Sequence, residues 1–369
     1  MTIKVFNTSE IKKIISSKKI KKILLITGKK SFYKSGADKL FLEILKEKIL
    51  KIYFKKNFLP VFNELSEIIK IKKNFNPNLI IAIGGGCVMD LAKISSVIND
   101  TQNLKKKILS NDFDKNKTKV IAIPTTAGSG AEVTSNSVIY INNIKYSVEG
   151  KKIKPDYYFL FPKLILSSKK KYDAAAGFDA ISQAVESIFS LKSTNQSIFF
   201  ATSALKILVK NYLLFCQNKN VNNSYKMQLG ANLAGKAINI SKTIAPHAIS
   251  YPFTSLYAIP HGHAVSLSFN QILKFNYFNQ DKIFDSNFNL KKRYNLLFTI
   301  TKTQNIFELD NYINLLKKKA NLIQNWKKLG INIDKDISKI LDGVSDQRLR
   351  NNPIKIKIKD IPLIFKKYN

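Results

Sequence analysis

The sequence is poor in several residue types, and each shortage excludes a class of protein. Two cysteines, Cys87 and Cys216, are too few for a disulfide framework and suit a reducing cytoplasm. No uninterrupted run of about 18 apolar residues is evident, so a membrane span is not expected. The N-terminus lacks a charged start followed by an apolar core, so a secretory signal is not expected either. These features predict a cytoplasmic, globular protein.

Acidic residues are also scarce: 25 Asp and Glu stand against 61 Lys and Arg, a formal net charge of +36. Such a charge is common in nucleic-acid-binding proteins. Here the lysines are spread from end to end among abundant Ile, Asn and Phe, and no motif interleaves basic and aromatic residues. We therefore expect no specific nucleic-acid partner, which leaves a non-enzymatic nucleic-acid binder as the weakest alternative. The diffuse positive field instead favours anionic substrates and cofactors.

The length of 369 residues predicts two domains. In the first, apolar runs such as "KKILLITG", "NLIIAIGGG" and "KVIAIP" alternate with helical patterns such as "FNELSEIIKIKKNF". This alternation is typical of a mostly parallel sheet with helices on both faces. From residue 166 the pattern changes to successive apolar-periodic helices. We predict an α/β domain over 1–165 and an all-helical domain over 166–369, with a site in the cleft between them.

Two loops of small residues follow strands of the first domain. Gly84, Gly85 and Gly86 lie between a buried strand and a helix, where exposed amides suit a pyrophosphate. The spacing is not the G-x-G-x-x-G of an ordinary Rossmann fingerprint. Asp90 and Lys93 follow on the helix, either as cofactor contacts or as a surface pair.

The second loop, "PTTAGSGAEVT", also follows a strand. Its Thr125, Thr126, Gly128 and Ser129 are candidates to contact the phosphates or the nicotinamide of a bound cofactor. A turn of small residues without a ligand would have the same composition.

Histidine is rarer still: the chain has three, and His247, His261 and His263 all lie within residues 245–265. Chance clustering or helix packing would account for this. Neutral imidazole is also the commonest metal ligand, and a helix, a turn and a second helix would bring two histidines around a divalent cation. Such a site needs a carboxylate from elsewhere in the chain.

Five segments in order, "GGGCVMDLAK", "PTTAGSGAEVT", "FDAISQAVES", "PHAISYPFTSLYAIPHGHAV" and "VSDQRLRNNP", resemble the iron-containing (group III) alcohol dehydrogenase family. That family shares a superfamily with glycerol dehydrogenase and dehydroquinate synthase. The resemblance implies an N-terminal dinucleotide-binding α/β domain and a C-terminal all-α domain. It agrees with the fold class predicted from the residue patterns.

The resemblance also implies a metal site formed by Asp179, Gln183, His247 and His261. The family has a histidine at the position of Gln183, four residues after the aspartate. A neutral amide is a weaker ligand for Fe(II) or Zn(II), so Gln183 is the doubtful member and would instead hydrogen-bond a water or the substrate. Fewer imidazoles favour Zn(II) over Fe(II).

The implied reaction is reduction of a small aldehyde by a reduced nicotinamide cofactor, with the cation polarising the carbonyl. His263 is a candidate proton relay, and Tyr251 stands where many family members place another histidine near the nicotinamide. Both would otherwise be packing residues.

Cofactor preference is predicted at the end of the first strand. NAD-preferring relatives typically place an Asp there, whereas this chain has Gly28, followed by Lys29, Lys30 and Ser31. Two cations and a hydroxyl in place of a carboxylate favour NADP(H) over NAD(H).

The motifs look most like the phosphonoacetaldehyde reductase branch, which reduces phosphonoacetaldehyde to 2-hydroxyethylphosphonate. Lys236, Asn239, Ser241 and Lys242 precede His247 and are candidates to hold the phosphonate, or else are solvated helix-end residues. A general alcohol or diol dehydrogenase and, less favoured, a dehydroquinate-synthase-like lyase remain alternatives. A homo-oligomer, most simply a dimer, is expected.

Overall fold

The structure, a computed structural model, describes residues 2–142, 144–283, 285 and 287–368, with the backbone alone at 333 and 334. The chain divides into two compact units, Met1–Ser168 and Lys169–Asn369. Each unit has its own buried apolar core.

The strands all lie in the first unit: β1 (Ile3–Val5), β2 (Lys22–Gly28), β3 (Ile49–Lys55), β4 (Leu79–Gly84), β5 (Lys119–Pro124), β6 (Asn136–Ile141), β7 (Ile144–Glu149) and β8 (Tyr157–Phe159). Among the described residues, six of them form a parallel sheet in the order β1-β8-β5-β4-β2-β3. Strands β6 and β7 pair antiparallel as a separate hairpin.

Helices cover both faces of the parallel sheet. They are α1 (Thr8–Ser16), α2 (Lys29–Lys34), α3 (Ala37–Leu45), α4 (Phe62–Phe75), α5 (Gly86–Val97) and α6 (Leu104–Ser110). Alternate strand residues pack to opposite sides: Leu24 and Ile80 join a core with α4 and α5, whereas Ile23 and Ile81 join a core with α1, α2 and α3. Burial on both faces explains why these strands are continuous apolar runs.

The order of the strands creates a topological switch point in the sheet. From β2 the chain passes to β3 on one side and then crosses to β4 on the other, so the topology reverses between β2 and β4. Ligands of open α/β sheets bind at such a switch point, beyond the carboxyl ends of the strands. The residues at this edge are Gly28, Gly84 and Pro124, which the parallel register aligns.

The second unit is helical in its described residues: α7 (Lys170–Phe189), α8 (Asn195–Gln217), α9 (Val221–Ser241), α10 (Ala245–Tyr257), α11 (His261–Phe278), α12 (Leu290–Thr301), α13 (Ile306–Lys319), α14 (Ile333–Asp342), α15 (Asp346–Leu349) and α16 (Ile361–Tyr368). Helix α7 is its centre, since α8, α9, α11 and α12 all contact it and it is buried along most of its length. The predicted fold class, an α/β domain followed by an all-α domain, is confirmed.

No membrane-spanning segment was expected from the sequence, but helix α8 is long and apolar enough to be considered as one. By length and composition it is apolar enough to cross a bilayer, although it packs on α7 and α9. Lys206 and Lys210 interrupt its apolar sequence. One such helix is weak support for a membrane span.

Candidate functional site

Helix α7 carries three polar side chains along one face although it runs through the core. Asp179, Gln183 and Glu186 follow the i, i+4, i+7 spacing that aligns side chains on a helix. All three are buried. Buried carboxylates require compensating partners, which must come from neighbouring helices.

Those partners come from α10 and α11. His247 lies in the first turn of α10, just after Pro246, and His261 is the first residue of α11. The short connection between the helices brings the two imidazole rings to a centroid separation of 5.3 Å. One ligand atom each from Asp179, His247 and His261 lies within 4.8 Å of the others.

His247 is held between two carboxylates. Its Nδ1 lies 2.5 Å from Glu186 Oε1, and its Nε2 lies 3.2 Å from Asp179 Oδ1. Glu186 Oε2 also accepts the backbone N–H groups of Ile244 and His247, at 2.9 and 3.4 Å. Glu186 Oε1 is placed to accept a hydrogen bond from Nδ1–H, so that Nε2 is the nitrogen that faces Asp179.

The charged groups in this cluster shift one another's pKa values. Burial alone would lower the pKa of His247, but Glu186 and Asp179 raise that pKa to about 9. Burial would raise the pKa of Asp179, and the two histidines instead hold that pKa below its usual value. Burial raises the pKa of Glu186 against the opposing effect of His247. The cluster therefore favours a positive charge at its centre.

The position of that positive charge is between Asp179 Oδ1 and His247 Nε2. Both atoms are buried, and neither has an aligned hydrogen-bond partner among the described residues. Two acceptors only 3.2 Å apart repel each other unless a proton or a metal ion lies against them. With His261 they supply one oxygen and two imidazoles, a donor set suited to Zn(II) or Fe(II).

Gln183 orients the carboxylate. Its Nε2 donates to Asp179 Oδ2 at 3.2 Å. Its Oε1 is buried and has no hydrogen-bond partner in the described part of the chain. The amide thus supports Asp179 and leaves an acceptor for a further group.

Glu186 is the site residue that sequence reasoning missed. It stands seven residues after Asp179 and three after Gln183, inside the quoted segment "FDAISQAVES". That spacing on a helix, together with a histidine needing a hydrogen-bond partner, was the available signal.

Close helix packing sets the distance between the ligands. A Cβ on Gly262 would lie 1.9 Å from the carbonyl oxygen of Ala175 and 2.7 Å from Asp179 Cβ. Gly262 follows His261 directly, so its missing side chain allows α11 to approach α7 at the metal ligands.

The two predicted catalytic residues differ in their surroundings. Tyr251 lies beside the cluster, with its ring stacked at 6.0 Å from His261. His263 is two residues beyond His261, about 200° around the helix, and its Nε2 lies 2.7 Å from the carbonyl oxygen of Ile323. That contact occupies one nitrogen of the His263 ring, and the proton relay assigned to His263 stays a prediction.

The predicted substrate residues lie at the C-terminal end of α9. Ser241 is fully buried, and its hydroxyl lies 2.7 Å from Ser187 Oγ, so it joins α9 to α7 and is not open to a phosphonate. That prediction is corrected. Lys236 Nζ lies 5.9 Å from the centre of the Phe200 ring, while Asn239 and Lys242 are half-buried; their substrate role stays a prediction.

In the first unit, the triple-glycine turn stands at the switch point. A Cβ on Gly84 would lie 2.6 Å from Val88, and one on Gly86 would lie 2.9 Å from Ser129 Oγ. A Cβ on Gly85 would make only an ordinary contact at 3.4 Å, with Thr126. Gly84 is thus required for packing, whereas a side chain at Gly86 would mainly displace the Ser129 hydroxyl. Gly85, which caps α5, has the most room beside it.

The other predicted cofactor residues border the same edge. Thr125 donates its backbone N–H to Gly84 O at 2.9 Å, which joins the second loop to the glycine turn. Thr126 and Ser129 are half-buried beside it. Lys29 and Ser31 are exposed in the first turn of α2, directly after β2.

The prediction for Lys93, a cofactor contact or a surface pair with Asp90, is corrected. Its ammonium is fully buried and reaches Ala131 O, Thr134 Oγ1 and Asn136 O at 3.1, 2.9 and 2.5 Å. All three donors are used, so Lys93 fastens α5 to the 131–136 segment and neither contacts a cofactor nor forms a surface pair. Asp90 is half-buried, and burial raises its pKa to about 6.

Comparison with known proteins agrees with this geometry. The chain is 30% identical over 212 residues to a phosphonoacetaldehyde reductase of Streptomyces viridochromogenes, covering 54% of this chain and 53% of that protein. It is 31% identical over 221 residues to a 4-hydroxybutyrate dehydrogenase of Clostridium kluyveri, covering 58% of each. The matches thus span just over half the length of these two relatives.

Among solved structures, a sulfoacetaldehyde reductase from Bifidobacterium kashiwanohense in complex with NAD⁺ superposes with a TM-score of 0.86. The match covers 100% of this chain and 96% of that one at 23% identity, so it shows a shared fold. Residues 4–162 match the family described as iron-containing alcohol dehydrogenase, and residues 173–368 match its C-terminal domain. The chain belongs to the iron-containing alcohol dehydrogenase family.

Proposed function

We propose that the protein is a metal-dependent reductase that converts a small anionic aldehyde to the alcohol with NADPH. The observation that carries this proposal is the facing pair of buried acceptors, Asp179 Oδ1 and His247 Nε2, with His261 beside them. Such a pair is unfavourable unless a proton or a cation lies between the two atoms, and a metal cation next to an open coordination position suits carbonyl chemistry.

Asp179, His247 and His261 would hold Zn(II) or Fe(II). Glu186 keeps His247 in the tautomer that presents Nε2, and Gln183 steadies the second oxygen of Asp179. The Tyr251 ring lies beside His261, with the two ring centroids 6.0 Å apart. Bound together, the cation and the reduced nicotinamide supply carbonyl polarisation and hydride. Gln183 Oε1 remains to hydrogen-bond a water or a substrate hydroxyl.

The nucleotide would bind along the carboxyl edge of the parallel sheet. Gly85 caps α5, and the backbone N–H groups of the first turn of that helix are suited to a pyrophosphate. Lys29, Lys30 and Ser31 at the start of α2 would receive the 2′-phosphate of NADPH, since no carboxylate stands at Gly28 to repel it.

An anionic substrate is supported by two observations. The net charge of +36 attracts anions, and two relatives are named for phosphonoacetaldehyde and 4-hydroxybutyrate, both of which carry an acidic group. Of the two, we favour phosphonoacetaldehyde, which places the protein in phosphonate metabolism. We further propose a cytoplasmic homodimer without a nucleic-acid or membrane partner.

A substrate panel tests the assignment. Purified, metal-loaded enzyme is assayed with phosphonoacetaldehyde, succinic semialdehyde and butanal, each with NADPH and with NADH. We expect kcat/KM for phosphonoacetaldehyde to exceed that for butanal by at least about tenfold, and NADPH to be preferred. Turnover of butanal without turnover of the phosphonate would reject the substrate and favour a general alcohol dehydrogenase. Formation of a product without net oxidation of the nucleotide would favour a lyase.

A further inference from the structure

The helical unit contains a cavity of about 1480 Å³. Asp179, His247 and His261 are not among its described lining residues. Its walls come from α11, α13, α14 and α16 and from the segment 324–332. The volume is ample for a small metabolite.

The cavity is strongly basic. Lys274, Lys317, Lys327 and Lys366 line it, and Asp310 is the one acidic residue among the described lining residues. Asp310 lies 3.3 Å from Lys274, so that pair is internally compensated. The remaining three lysines leave a positive field that favours an anion.

Lys317 is the deepest of these cations. It is fully buried, donating to Ser266 O at 2.5 Å and to Gln324 Oε1 at 3.1 Å. Burial lowers its pKa to about 7, although Asp310 opposes the shift. An anion in the cavity would offset the cost of keeping this ammonium charged.

Asn270 supplies an independent sign of a ligand. It is 4% exposed and lines the cavity, and its Oδ1 has no hydrogen-bond partner among the described residues. Its Nδ2 donates to Asp310 Oδ1 at 2.6 Å and to Asn314 Oδ1 at 3.1 Å. Because Nδ2 faces acceptors, the amide cannot be flipped, and the buried oxygen requires a donor.

We propose that this cavity is a binding site for a small hydroxylated anion, of which a polyol phosphate is the simplest representative. The lysines bind the anionic group, and Asn270 Oδ1 accepts a hydrogen bond from a hydroxyl. The site is separate from the proposed reaction centre and does not depend on the assigned substrate.

The protein contains its own reporter for this site. Trp326 is the single tryptophan of the chain, and it lines the cavity, packed edge-on against Phe365 at 5.2 Å. Intrinsic tryptophan fluorescence of the full-length, metal-loaded protein therefore reports on this cavity. The probes are glycerol 3-phosphate, inorganic phosphate and glycerol, which separate the contributions of anion and hydroxyl.

We expect glycerol 3-phosphate to give a saturable change in fluorescence, phosphate to bind more weakly, and glycerol to give no saturation. Lys327→Glu with Lys366→Glu should weaken binding of glycerol 3-phosphate by at least about tenfold. Lys318→Glu with Lys319→Glu, an equal charge change at exposed positions outside the cavity, should leave it unchanged. Asp179→Asn should also leave it unchanged.

A titration without saturation would overturn the proposal. So would equal weakening by the two lysine pairs, which would indicate a general charge effect, or loss of the response in Asp179→Asn, which would place binding at the metal centre.

Discussion

At the scale of single residues, His247 is the focus of the site. Glu186 and Asp179 contact opposite nitrogens of its ring, so the side chain has one useful orientation and one useful tautomer. A carboxylate behind a metal-bound histidine increases the basicity of the ligand and limits its rotation. We therefore propose that Glu186 positions His247 for metal binding.

The first prediction concerns this carboxylate. Glu186→Gln keeps the shape but removes the charge, so the affinity for Zn(II) should fall by about 10- to 100-fold. Competition with a fluorescent chelator measures the change. Glu132→Gln, the same substitution at another buried glutamate, serves as the control and should leave the affinity as it is. An unaltered affinity in Glu186→Gln would show that Glu186 has no part in holding the ligand.

The second prediction concerns the departure from the family at Gln183. Because Gln183 is buried one helical turn from Asp179, a histidine there would add a third imidazole to the ligand set. Gln183→His should raise Fe(II) affinity by about tenfold or more, measured anaerobically by chelator competition. Gln183→Leu, which removes the amide without adding a ligand, should not. Equal Fe(II) affinity in the parent and Gln183→His would mean that position 183 does not face the ion.

Sequence patterns pointed to the candidate ligands but not to the roles of their neighbours. Asp179, His247 and His261 were recognisable because their types and spacing match a known motif. The buried, structural role of Lys93 was not recognisable, because its three oxygen partners lie about 40 residues away along the chain and two of them are backbone carbonyls. Ser241 failed similarly, since only the packing of α9 on α7 buries its hydroxyl.

At the scale of elements, the contact between α7 and α11 determines whether the site forms. Gly262 stands where the two helices are closest, and any side chain there would meet the backbone of Ala175. The sequence "HGH" thus combines a candidate metal ligand, His261, with the glycine that permits its approach to α7.

The third prediction follows from this contact. Gly262→Ala should separate the helices, cost about 1–3 kcal/mol in the free energy of unfolding, and sharply reduce the amount of bound metal. Denaturant unfolding and metal analysis measure the two effects. Gly85→Ala, where an added Cβ meets only an ordinary contact, should retain the metal. Full metal content in Gly262→Ala would contradict the claim that close approach is required.

Strands were predictable from the sequence where both of their faces are buried. Strands β2, β4 and β5 are continuous apolar runs ending in glycine or proline, and α4 follows its periodic pattern from Phe62 to Phe75. Strands β1 and β8 span three residues each, too few for a pattern, and the β6–β7 hairpin mixes polar and apolar residues on a half-exposed surface. Their pairing depends on tertiary contacts that local sequence does not encode.

At the scale of the whole molecule, charge is the dominant property. A net charge of +36 creates a field that concentrates anions near the protein, and salt screens this field. The field acts on the encounter with substrate and not on the chemical step.

The fourth prediction is a salt dependence specific to anionic aldehydes. With nucleotide held saturating, raising ionic strength from about 0.05 to 0.5 M should increase KM for phosphonoacetaldehyde several-fold while kcat changes little. Steady-state kinetics measure both constants. The uncharged aldehyde butanal is the control, and a parallel rise in its KM would assign the effect to salt acting on the protein itself.

The central claim is that Asp179, His247 and His261 together bind a divalent cation, and elemental analysis of protein purified without chelator tests it most directly. We predict about one Fe or Zn ion per chain, and nearly none in Asp179→Asn or His261→Ala variants that remain folded by circular dichroism. A parent protein that stays metal-free after incubation with Fe(II) and Zn(II), or variants that retain the full complement, would contradict the account.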